Sequence, residues 1–243
     1  MSSKLLTFGL DTNVFVELLL ALKHPSSALD SVQRGIQTEA AIASRSNPIV
    51  IVQQVFYEAL NKLMERERLL MELNGGSLTG RRFKDLAPAE KDAAVASWAG
   101  PAGTAVRSLL DGLRADRGLQ IEVFPGVASP GEWLDSQRVF MAAHERHGPR
   151  FDLPDLVIAS QAIVARVDQF VSRDVALRQA IGHLQSDGAF KADIDAINGY
   201  RVPTTMKVIP ELSRGMPAPG PLAAPSAAAP AAPTGPVGSR GSG

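Results

Sequence analysis

The chain has no cysteine among its 243 residues, so disulfides, thiolate metal sites and a cysteine nucleophile are all excluded. It also lacks a net charge: Lys plus Arg and Asp plus Glu both number 25. No overall basic field advertises nucleic acid, and any phosphate contact must come from local groups or from a metal. No uncharged apolar stretch reaches membrane-spanning length, and Asp11 and Glu17 interrupt the apolar N-terminal segment that a signal peptide would need. The expectation is a soluble, cytoplasmic protein. There is no internal repeat, no D-x-D after the first apolar run and no glycine-rich phosphate loop.

What is present is 45% hydrophobic content, enough for a real core, arranged as short apolar runs alternating with helical patterns. The run Leu5 to Leu10 reads as a first strand, followed by the turn Asp11-Thr12-Asn13 and the helical VFVELLLALK. Pro25 restarts the chain, with Ser26 or Ser27 as N-cap of a helix to about Ser44. Pro48 to Val52 reads as a second strand leading into a helix that carries Glu58 and ends at Asn74-Gly75-Gly76. Residues 74 to 104 read as an insertion or lid, with the basic RRFK at 81–84, a short helix from Pro88 and a break at Gly100-Pro101.

Beyond it, the pattern gives a helix over Val106 to Leu113, a third strand in LQIEVFP, and a helix over Glu132 to His147. A helix then starts at Pro154, with proline in the first turn where its missing N–H is harmless. The strand QFVS, Asp174, a helix to about Leu184 and a strand from Met206 to Pro210 complete the domain, taken as residues 1–212. From 213 to 243 the composition changes: 7 of the 17 prolines lie after residue 214, and Arg240 is the only charge from 215 to 243. Such a segment buries too little to offset its ordering entropy and reads as a disordered tail. Strands alternating with helices imply an α/β fold with a parallel sheet covered on both faces.

Four acids recur at or just beyond the ends of these runs: Asp11, Glu58, Asp155 and Asp174. In an open parallel sheet the ligand crevice lies outside the carboxyl ends of the strands, so these carboxylates are expected to converge. Converging carboxylates repel, and a cation relieves the repulsion. An all-oxygen donor set suits Mg²⁺ or Mn²⁺ rather than zinc or copper. Paired ions would stabilise the attacking and leaving oxygens of a displacement at phosphorus, which points to phosphodiester hydrolysis. Taken singly, Asp11 and Asp174 read as N-caps, Glu58 as a solvated helix residue and Asp155 as a first-turn acid. Their joint placement favours the metal site. His144 and His147, three apart on one helix, read as a solvated helix end.

Three stretches carry a family resemblance: LDTNVFVE at 10–17, VFYEALNKL at 55–63 and FDLPDLVIASQAIVARVDQFVSRD at 151–174. Together they resemble the PIN-domain nucleases, which follow the first strand with an acid, place a glutamate in a later helix, and end on a D-x-x-I-A-like segment and a strand closed by an acid. The resemblance implies a three-layer α/β/α sandwich with strand order 3-2-1-4-5. It implies Asp11, Glu58, Asp155 and Asp174 as the catalytic, metal-binding tetrad, with Thr12 or Asn13 assisting; Arg173, by its place beside Asp174, is expected to reach the scissile phosphate. The expected activity is a Mg²⁺- or Mn²⁺-dependent endoribonuclease acting on RNA. Dimerisation and an antitoxin-like protein partner belong to the same expectation. Asp152 competes with Asp155 as the ligand; the D-x-x-I-A spacing fits Asp155. A catalytically weak nucleic-acid-binding or protein-interaction module on the same fold is the alternative.

Overall fold

A computed structural model describes residues 6–27, 30–43, 47–74, 87–124 and 130–206. Five strands, β1 (Phe8–Leu10), β2 (Ile49–Val52), β3 (Ile121–Phe124), β4 (Gln169–Val171) and β5 (Thr204–Met206), form one sheet of order β3-β2-β1-β4-β5. All neighbouring pairs are parallel, with Phe8 beside both Ile49 and Gln169. This is the order the resemblance implies. β1 and β2 are buried along their whole length, which is why they read as unbroken apolar runs rather than alternating ones.

The helices are α1 (Thr12–Lys23), α2 (Asp30–Ala43), α3 (Gln53–Asn74), α4 (Pro88–Ala115), α5 (Pro130–His147), α6 (Leu153–Val164), α7 (Val175–Ser186) and α8 (Gly188–Asn198). α1 packs on α2, α3 and α4, while α5 packs on α6 and α8, and α7 on α6 and α8. Right-handed crossovers assign the first set to one face of the sheet and the second to the other, compatible with a three-layer sandwich. α1 is buried almost all round: Val14, Phe15, Val16, Leu18, Leu19 and Leu20 are each at most 3% exposed. Each such side chain contributes about 1.5–3 kcal/mol by leaving water.

Two close approaches shape this packing. A Cβ on Gly9 of β1 would lie 2.5 Å from the Phe170 ring of β4. A Cβ on Gly35 of α2 would lie 2.0 Å from the Glu17 carbonyl oxygen of α1, so α2 crosses α1 at backbone contact. By contrast Gly182, inside α7, has open space where its Cβ would be. Gly182→Ala should therefore stabilise the fold by about 0.5–1 kcal/mol, the helical cost of glycine, read as a higher urea midpoint at unchanged slope.

The elements depart from the sequence pattern in three places. α4 runs unbroken through Gly100-Pro101, where a short helix and a separate helix over Val106–Leu113 were expected. Buried Val106, Leu110 and Leu113 tether its second half, and its alanine-rich middle favours helix strongly enough to carry the chain across a proline. Residues 75–86 of the expected insertion, including RRFK, lie outside the described residues. α8 was not anticipated, because Asp187-Gly188 looks like a stop. Asp187 in fact ends one helix and starts the next: its N–H bonds to the His183 carbonyl, and its carboxylate accepts from Ala189 and Phe190. Finally, β5 begins at Thr204, two residues before the expected Met206; residues 207–210 and the tail lie outside the described residues.

Candidate active site

The sheet reverses its winding between β1 and β4, and the crevice of an open α/β sheet opens at the carboxyl ends beside such a switch point. Asp11 follows β1 there. It is the N-cap of α1 and only 4% exposed. One carboxylate oxygen accepts from the Thr12 N–H at 2.6 Å and the other from the Ser172 hydroxyl, just past β4, at 2.9 Å. Ser172 Oγ in turn accepts from the Asp174 N–H at 2.9 Å. Asp174 caps α7 through Oδ1, which accepts from Ala176 and Leu177, and Oδ2 takes no part in either bond.

Glu58, on the second turn of α3, reaches the same place from β2. Its Oε2 accepts from Thr12 Oγ1 at 2.7 Å and its Oε1 from Gln54 Nε2 at 3.1 Å. The Gln54 N–H donates to Oε1 of Gln161, buried on α6, which fastens the start of α3 to the helix that carries Asp155. Asp152 is the N-cap residue of α6, yet its side chain makes no capping bond.

The electrostatics register the convergence. The half-buried Asp155 carboxyl is pushed up to about 6, first by burial and then by the charges of Asp174, Asp152, Asp11 and Glu58. Asp11 is also raised, chiefly by burial; the bonds from Ser172 and Thr12 and the charge of Lys62 oppose this, and Asp174 reinforces it. The four acids expected from the sequence therefore share one electrostatic neighbourhood, and Asp152 joins them as a fifth. Among the described residues no group of three or more Asp, Glu or His side chains is arranged closely enough to hold a metal ion as it stands. The donors are nonetheless all oxygen and mutually repulsive, and Asp11, Glu58 and Asp174 are each fixed by a second partner, a set that fits a hard divalent cation.

A prediction follows for the metal-free protein. Between the ordinary aspartate value of about 3.9 and about 6, the folded state holds a proton on Asp155 that the unfolded chain has released. Its contribution is greatest below this window and declines as pH rises through it. Relative to wild type, Asp155→Asn should gain about 1 kcal/mol between pH 4 and 6.5, the full shift being discounted for solvent around a half-exposed group. Urea unfolding in EDTA across that range reads the difference.

The remaining residues named from the sequence lie around this core. Asn13 accepts from Lys62 Nζ at 3.3 Å. Arg173 is ion-paired to Glu17, a carboxylate only 5% exposed that also holds Arg34 at 2.8 Å. Sequence reasoning did not find Ser172, Gln54, Gln161, Lys62 or this role of Glu17. The available signal for Glu17 was a charge inside the otherwise apolar VFVELLL. His147 bonds Asp187 at 3.1 Å, whereas His144 stacks on Phe140. A larger cleft of about 740 Å³, lined by Arg114, Asp135, Arg166 and Tyr200 among others, shares no residue with the acidic cluster.

What fold and site define is an α/β protein with a cluster of carboxylates at its topological switch point. Compared with protein-family models, curated proteins and solved structures, the chain matches none of them. No helix among the described residues is long and apolar enough to cross a membrane.

Proposed function

We propose that the chain is a PIN-like, Mg²⁺- or Mn²⁺-dependent endoribonuclease, with Asp11, Glu58, Asp155 and Asp174 as its metal-binding acids. One observation carries the reading: Asp155 is raised to about 6 by burial and, beyond that, by the charges of four other carboxylates that arrive from β1, α3, α6 and the β4–α7 turn. Carboxylates gathered from four parts of a chain at the cost of mutual repulsion are best explained by a cation that binds among them. The strand order and the three sequence stretches support the PIN-like form of that reading.

In this mechanism the bound ion supplies Lewis acidity at the scissile phosphate and lowers the pKa of a water. The protein's own groups do the positioning. Thr12 donates to Glu58 and, through its N–H, to Asp11, so two acids from different strands are locked in mutual orientation. Ser172 does the same for Asp11 and the Asp174 backbone. Asp155, surrounded by the charges of Asp174, Asp152, Asp11 and Glu58, would hold the ion with them and help orient the attacking water.

The test is cleavage of a labelled single-stranded RNA by purified protein with Mn²⁺, with Mg²⁺ and with EDTA. Internal cleavage that requires the metal is expected. Absence of cleavage with either ion, or cleavage indifferent to EDTA, would overturn the assignment.

A further inference from the structure

Beside the carboxylate pocket lies a cavity of about 110 Å³ lined by Asn13, Val16, Glu17, Leu20, Ser31, Lys62 and Glu65. Three features of it are unaccounted for by packing. Ser31 is only 5% exposed, yet its hydroxyl has no hydrogen-bond partner among the described residues. A buried hydroxyl left so is unfavourable unless something fills its bond. Ser31 also lies in the first turn of α2, a helix of 14 residues whose first N–H groups lack helical partners and carry partial positive charge. Lys62 lies one turn beyond Glu58 on α3, donates to Asn13 Oδ1, and lowers the Asp11 carboxyl through its charge. Its ammonium has two further N–H bonds to give, and the Asn13 amide nitrogen is a donor as well.

We propose that this cavity is a phosphate subsite, in which the Lys62 ammonium, the Ser31 hydroxyl, the Asn13 amide and the α2 N-terminus hold a phosphate of the substrate strand next to the scissile one. Anions at helix N-termini are held by such a combination of backbone N–H groups and a nearby cation. The local charges permit it. Glu17, the buried acid of the lining, is already compensated by the guanidinium groups of Arg34 and Arg173. Glu65 lies three residues beyond Lys62 on the same helix, and Asp30 is exposed and absent from the lining. Asn13 follows Thr12 directly and Lys62 follows Glu58 by one turn, so the cavity adjoins the metal-binding acids on two elements at once. Its assignment to the substrate path rests on the proposed ribonuclease activity; its affinity for phosphate does not.

The experiment therefore has two arms. In the first, inorganic phosphate is titrated calorimetrically into EDTA-treated full-length protein at constant ionic strength. Wild type should bind it, Ser31→Ala and Lys62→Met should each bind about tenfold more weakly, and Lys62→Arg should retain most of the affinity. Ser31→Ala removes a hydroxyl that bonds nothing described, so its fold is expected to be unimpaired. In the second arm, Lys62→Met should raise KM for a short single-stranded RNA about tenfold, with kcat changed less. No phosphate binding by wild type, or binding by both variants as tight as that of wild type, overturns the subsite even if RNA is cleaved. Phosphate binding that depends on Ser31 and Lys62 without any RNA cleavage upholds the pocket and overturns the ribonuclease instead.

Discussion

Asp11→Asn should leave the metal-free protein as stable as wild type, or more so, while abolishing both metal-induced stabilisation and RNA cleavage. The two effects have one origin. Asp11 is buried, and that burial raises its carboxyl despite bonds from Thr12 and Ser172. A charge in this position is unfavourable until a cation arrives, so removing it removes a cost. Asparagine keeps the shape and one oxygen acceptor for the Thr12 N–H, and the Ser172 hydroxyl can rotate to accept from the new amide. Function behaves oppositely. Metal Lewis acidity supplies several kcal/mol of transition-state stabilisation, so losing a ligand should cost about a thousandfold in kcat/KM, at about 1.4 kcal/mol per decade. In thermal unfolding with Mn²⁺ at about 100 times its Kd, wild type should gain about 2.7 kcal/mol that the variant lacks. An Asp11→Asn protein that keeps the Mn²⁺ shift would show that Asp11 is not a ligand.

Gly35→Ala should be the most damaging of the conservative substitutions, destabilising the fold by about 3 kcal/mol, the upper end of ordinary overpacking. The added methyl would meet the Glu17 carbonyl oxygen at 2.0 Å, its carbon at 2.6 Å and the Ala21 side chain at 2.9 Å. Two of these are backbone atoms of α1, which cannot rotate aside, and α1 is itself buried against the sheet. α2 must therefore lift away, and with it Arg34, whose 2.8 Å bond to Glu17 would lengthen. The contrast with Gly182→Ala is informative, since the same replacement has opposite sign at two helical positions of one chain. Equilibrium urea unfolding of both variants measures it; a Gly35→Ala midpoint within error of wild type would show that the α1–α2 crossing is looser than described.

Much of this architecture is legible in the sequence because parallel strands leave a plain trace. β1, β2 and β4 are short apolar runs with a breaker or an acid at the end, and α6 and α7 open with an acid at or near the N-cap. Those same acids make the pocket legible, since strand-end carboxylates have few other reasons to recur. α4 and α8 were hidden for a different reason. Gly100-Pro101 and Asp187-Gly188 are local stop signals, and tertiary burial of Leu113, Phe190 and Ile194 overrides them. The supporting residues of the site were hidden by distance: Ser172 matters because Asp11 lies 161 residues away along the chain, and Gln161 because Gln54 lies 107 away. Nothing near Ser172 announces its partner.

That separation also sets when the pocket can exist. The site joins the end of β1 to the turn after β4, so a growing chain carries Asp11 without Ser172 or Asp174 until about 160 further residues have been added. At cellular synthesis rates this is roughly 10–30 s. Throughout that interval the nascent polypeptide holds isolated carboxylates and no assembled ion pocket. The proposed ribonuclease would be inert over that interval, while still tethered to the message being translated.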